Sequence, residues 1–169
     1  MLRTLVAALL IATAPAEAED RNPLIDYAGF QQLTRDVSAY RQGRLLSWNE
    51  FEKAGRQPRT LILDARSADA FAAGHIKGAV NLPFTDFTAA SLARAIGDKD
   101  RPILIYCNNN FSSNRAPVEK AVRLALNIQT FINLVGYGYA NVRELNEVVD
   151  FNDPKIGWVS GPSPGGDPA

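Results

Sequence analysis

The chain has 169 residues but only one cysteine, Cys107, and one histidine, His75. A single thiol excludes an internal disulfide, so stability has to come from a packed core. One histidine leaves any Cys-His dyad a single possible base. One Cys and one His cannot complete a tetrahedral metal set without several carboxylates, so no metal site is expected. Net charge is also missing: 18 Lys and Arg balance 18 Asp and Glu, and the arginines are scattered among acidic residues. Without a basic stripe there is no counterion-release surface, and nucleic acid is not an expected partner. No Gly-rich nucleotide fingerprint follows an expected strand, and no cofactor is implied.

Long apolar runs are absent apart from one near the start. Arg3 precedes a wholly apolar stretch from Leu5 to Ala12, followed by Ala14-Pro15-Ala16-Glu17-Ala18. A basic residue, a short apolar stretch and small residues at the end describe a secretory signal peptide over residues 1–18, cut after Ala18. The stretch is too short for a permanent bilayer anchor. The expectation is a periplasmic protein with no stable membrane insertion once the leader is removed. In an exported protein an unpaired cysteine is either buried and inert or a thiol kept for chemistry.

What is present is a regular alternation of helix and strand signals. Leu24, Tyr27, Phe30, Leu33, Val37 and Tyr40 recur at three or four residues, predicting an amphipathic helix over 23–41 that ends at Gly43. Residues 19–41 are read as an N-terminal helical extension. Leu45-Leu46 is a short strand candidate, and Ser47 with Glu50 forms a capping box for a helix to about Ala54. Thr60 to Asp64 is a strand buried on both faces. Ser67 to Ala73 is a short helix stopped by Gly74, and Ala79 to Leu82 is another short strand. Thr85 or Asp86 caps a helix to about Ile96; Ile103 to Cys107 is a strand; Ser113 or Asn114 caps a helix through Leu126. Gln129 to Val135 reads as the last buried strand, Gly136 to Val149 as a closing helix, and 153–169 as a flexible tail rich in Pro and Gly. Strands separated by helices predict an α/β domain with a central parallel sheet of about five strands, covered on both faces.

In such sheets ligands bind at the carboxyl ends of the strands, and Cys107 falls at one of them. No acidic residue lies between Cys107 and Glu119, and a helix starting near Ser113 points its N–H groups back at the loop. The expectation is a depressed thiol pKa. A fall of about two pH units, roughly 2.7 kcal/mol, makes thiolate the majority form near neutrality. His75 reads as a histidine packed in a turn and bonded to backbone.

Three segments carry a family resemblance. Leu63-Asp64-Ala65-Arg66 with Phe71-Ala72-Ala73-Gly74-His75-Ile76-Lys77-Gly78-Ala79-Val80-Asn81-Leu82-Pro83 resembles the rhodanese homology motif. Ile103 to Cys107 followed by Ser112-Ser113-Asn114-Arg115-Ala116 resembles the active-site strand, loop and helix start of single-domain rhodaneses. Gly136 to Leu145 is similar to the segment after that family's last strand. The resemblance covers about residues 42–152 and implies a rhodanese-like three-layer fold. It also implies a sulfurtransferase in which Cys107 takes the outer sulfur of a donor as a persulfide and passes it to a thiol or cyanide acceptor.

On that resemblance the backbone N–H groups from Asn108 to Ser113, through Asn109, Asn110, Phe111 and Ser112, cradle the charged sulfur. The Ser112 and Ser113 hydroxyls either join the cradle or cap the helix. Phe111 either shapes a pocket or anchors the loop. Asp64 and Arg66, at the end of another strand, are expected either to pair and brace the loop or to contact the substrate directly. The five residues after Cys107 carry no charge, unlike many thiosulfate-using members, and Arg115 is the nearest cation, facing the loop mouth or simply exposed. A cysteine phosphatase needs Cys-x5-Arg, and Ser113 stands where that arginine belongs. The remaining rival is a non-catalytic binding or redox-sensing module on the same scaffold, for which a protein partner is possible.

Overall fold

The computed structural model describes residues 22–112 and 119–162. The expected leader, Ser113, Arg115 and the last seven residues lie outside the described residues. Helix α1 (Tyr27–Gln42) starts at Asp26, whose carboxylate accepts from Gly29 N at 2.7 Å. Strand β1 (Leu45–Leu46) leads into α2 (Trp48–Gly55), opened by the Ser47–Glu50 capping box. Then follow β2 (Leu61–Asp64), α3 (Ala68–Ala73), β3 (His75–Ile76) and β4 (Val80–Asn81). Helix α4 (Ala89–Ile96) precedes β5 (Ile103–Tyr106), a 3-10 turn at Asn108–Asn110 and β6 (Phe111–Ser112). After a further 3-10 turn at Val122–Leu124 come α5 (Leu126–Gly136), β7 (Val142–Leu145), β8 (Val149–Asp150) and β9 (Trp158–Val159).

Five strands form one parallel sheet in the order β1-β7-β5-β2-β4. Side chains alternate across it, so each apolar strand feeds two cores. Leu61, Leu63, Ile103, Ile105 and Val142 join Val37, Leu92, Phe131 and Leu134 on the side covered by α1, α4 and α5. Leu104, Tyr106 and Leu145 join Phe51, Phe71, Phe111 and Ile156 on the other side. This is the three-layer α/β arrangement with about five parallel strands that the alternating pattern implies.

Several local expectations fail for identifiable reasons. Gln129 to Val135 belongs to α5, not to a strand: its β-branched and aromatic residues suggested a strand, but Asn127, Thr130, Phe131 and Leu134 are buried at helical spacing. The closing helix over 136–149 is replaced by β7 and β8; Val142 and Leu145 are buried, while buried Glu144 masked the strand. No helix runs through to Leu126, which instead begins α5. The cap of α4 is Thr88, because Thr85 and Asp86 are taken up in a 3-10 turn at Phe84–Asp86. Strand β5 stops at Tyr106, one residue before the cysteine.

The ends of the domain are also more structured than composition suggests. β9 pairs antiparallel with β3, Ile156 is buried, and Trp158 packs on Phe111 at 4.7 Å between centroids, so 153–159 is part of the fold and not a tail. A Cβ at position 74 would lie 2.0 Å from Trp158 Nε1, which is why glycine stands there. Helix α1 is a core element more than an extension: Leu33 approaches Gly136 so closely that a Cβ there would lie 2.9 Å from Leu33 Cδ2. Tyr40 also donates to Ala140 O at 2.6 Å.

Candidate active site

Cys107 leaves the carboxyl end of the central strand β5 and is 1% exposed. The backbone N–H groups of Asn127, Asn109 and Leu126 are directed at its sulfur. Two of them are the first turn of α5, whose N–H groups have no partner within the helix. N–H groups at a helix start therefore do face the thiol, and those described belong to α5. Burial outweighs it: the thiol is pushed above its ordinary value by loss of water, the three N–H groups pull it back down, and the charge of Glu144 adds to the rise. The depressed pKa expected from a carboxylate-free loop is corrected, because the thiol is buried away from water, and the charge of Glu144, remote in sequence on β7, adds a smaller rise.

The loop after Cys107 turns the backbone N–H of Asn109 toward the sulfur and is held by side chains. Asn110 Oδ1 accepts from Cys107 N and from Asn127 Nδ2, both at 2.9 Å. Asn110 Nδ2 donates to Leu145 O at 2.9 Å and Glu147 O at 3.0 Å. Those two carbonyls fix the orientation of the Asn110 amide, since only its NH2 can serve them. Asn109 exchanges bonds with the backbone of Lys120, donating to its carbonyl at 2.7 Å and accepting from its N–H at 3.1 Å. Phe111 is buried against Tyr106 and Trp158 and anchors the loop. Ser112 is exposed, pairs with β8 through the backbone, and its hydroxyl donates to Val149 O at 3.4 Å.

Asp64 and Arg66 form a buried pair at the neighbouring strand end, with Arg66 Nη2 at 2.6 Å from Asp64 Oδ2. Arg66 also donates to Gly74 O at 2.7 Å and to Asn108 Oδ1 at 3.2 Å, so the guanidinium ties β2 to the residue after the cysteine. Burial opposes the Arg66 charge, but hydrogen bonds and the charge of Asp64 hold its pKa above the ordinary value. Tyr106 donates to Asp64 at 2.7 Å; burial and that carboxylate push its phenol well up. His75 Nδ1 donates to Phe71 O, 2.8 Å away, and the ring stacks on Phe71, as a packed histidine does. A cavity of about 220 Å³, with Arg66, Phe84, Asn108, Lys120 and Leu126 in its lining, lies beside the loop. Among the described residues no three His, Cys, Asp or Glu gather as a metal site.

Leu126, Asn127, Lys120 and Glu144 were not expected at this site. Their only sequence signals were the spacing of Asn127 with Thr130 and Leu134 and an acidic residue inside an apolar run.

A buried cysteine ending the central strand of a parallel sheet, with helix N–H groups aimed at its sulfur, defines a cysteine-centred α/β domain. The rhodanese-like domain matches residues 47–147, and the chain belongs to that family. Among solved structures the chain is similar to the Alr3790 protein from Anabaena sp., at 20% identity over 62% of this chain and 80% of that one, with a TM-score of 0.43. It is similar also to a rhodanese with anions from E. coli, at 22% identity, covering 60% and 99% of the two chains, TM-score 0.41. The BH2092 protein from Bacillus halodurans is 17% identical, covering 82% and 87%, TM-score 0.48.

Proposed function

We propose that this protein is a rhodanese-type sulfurtransferase that carries a sulfane sulfur on Cys107. The observation supporting this most is the convergence of three backbone N–H groups on a lone thiol at the sheet's carboxyl edge, an arrangement suited to an anionic sulfur. The thiolate attacks the outer sulfur of thiosulfate, the S–S bond breaks, and sulfite leaves with the bonding pair. The Cys107 persulfide anion then gives that sulfur to a nucleophile such as cyanide or a thiol, which restores the thiolate. Arg66 and Asp64 hold Asn108 in place, and Lys120 supplies positive charge beside the cavity that the uncharged loop lacks. Arg115 is the further candidate for meeting an anionic donor, and an organic persulfide is the alternative donor class.

The test is thiocyanate formation from cyanide with thiosulfate, mercaptopyruvate or an organic persulfide as donor. Turnover with one of them that vanishes in Cys107→Ser supports the reading; no turnover and no sulfur gain with all three overturns it. The near-complete burial of Cys107 and its raised pKa favour the second reading, a non-catalytic binding or redox-sensing module on the same fold. We further propose export through residues 1–18 to the periplasm, checked by whether the mature chain isolated from that compartment begins at Glu19.

A further inference from the structure

We propose that Arg41, outside the family-matched residues, is a positioning residue that sets the reactivity of Cys107 by holding the carboxylate of Glu144. The register pairs Ile105 of β5 with Glu144 of β7. Ile103, Ile105 and Val142 all face the core under α1 and α5, so alternation puts Glu144 and Cys107 on that same face. Cys107 lies two residues beyond Ile105, which places its Cα about 8 Å from that of Glu144 by strand rise and spacing. Glu144 is buried, and its two oxygens accept from Arg41 Nε and Nη2, each at 2.6 Å. This fork-to-fork geometry fixes the carboxylate against α1 and offsets its charge.

The other charged groups around the thiol are arranged differently. From β2 and β5, Asp64, Arg66 and Tyr106 bond one another on the α3 side of the sheet. From the connector, Lys120 reaches the loop through its backbone. The first turn of α5 offers N–H groups and no titratable side chain. Glu144 is thus the carboxylate on the thiol's own face, and the one whose charge opposes its ionisation. A bare carboxylate there disfavours thiolate and persulfide alike, so the pair is what keeps this face compatible with sulfur chemistry.

The inference rests on Cys107 being the reacting group, but its test does not use sulfur transfer. Thiolate absorbance is followed against pH for the protein and for Arg41→Gln, Glu144→Gln and the double variant, each corrected by its Cys107→Ser counterpart. Arg41→Gln is expected to raise the titration midpoint by about half a pH unit or more, Glu144→Gln to lower it by a similar amount, and the double variant to return near the parent. A purely structural role would lower the unfolding temperature and leave the midpoints in place. Unchanged midpoints, or both single variants moving the same way, overturn the proposal. If Arg41→Gln does not fold, Glu144→Gln alone decides, and an unmoved midpoint there overturns it.

Discussion

Asn110 spends its whole hydrogen-bonding capacity on the chain around Cys107: two bonds accepted from Cys107 N and Asn127 Nδ2, two donated to the carbonyls of Leu145 and Glu147. It joins β5, α5 and the end of β7 at one buried point. Replacing it with alanine leaves buried donors and acceptors unmet, which is expected to cost about 2–3 kcal/mol. Chemical unfolding of Asn110→Ala measures this, and a loss under half a kilocalorie would show that the amide is not structural. Cys107 and Tyr106 make a second residue-scale prediction. Both are acids whose pKa rises on folding because burial disfavours their anions. Above the ordinary thiol value near ~8.5 the folded chain therefore keeps protons the unfolded chain has released. Stability is full below that value and declines as pH rises through the raised ones. Urea unfolding at neutral pH and at about pH 9.5 is expected to show the decline, and Cys107→Ala to lose part of it. A parent and variant with identical alkaline slopes would contradict it.

At the scale of elements, β9 and the turn before it show how the start of a tail rich in Pro and Gly becomes part of a core. Ile156 and Trp158 supply the apolar contacts, β3 supplies the pairing edge, and Gly74 leaves room for the indole. Gly74→Ala is expected to displace Trp158, red-shift tryptophan emission and open 153–159 to protease, with a stability loss of about 1–3 kcal/mol from overpacking. Unchanged emission and protease resistance would show that the site yields without strain. The elements that were legible beforehand are those with local punctuation. Ser47–Glu50, Ser67, Gly74 and Gly43 mark helix ends through their own chemistry. The stretch from Gln129 to Leu145 was misread because its identity is tertiary. Val142 to Leu145 is a strand because β5 and β1 flank it, and Glu144 inside it is satisfied by Arg41, about a hundred residues away.

At the scale of the molecule, the same difference separates what could be foreseen of the site from what could not. Cys107 at a strand end, the Asp64–Arg66 brace and the packed His75 follow from short-range pattern. The raised pKa of the thiol, the first turn of α5 directed at it, and the bonding of Arg41 on α1 to Glu144 on β7 depend on packing that brings distant segments together. The result is a family scaffold whose thiol is buried at the carboxyl edge of the sheet with the first turn of α5 directed at it. The most direct test of its proposed work is the intact mass of the protein after incubation with thiosulfate, mercaptopyruvate or an organic persulfide. The account predicts a gain of one sulfur atom with at least one donor, reversed by cyanide or thiol and absent in Cys107→Ser; no gain with any of the three contradicts it.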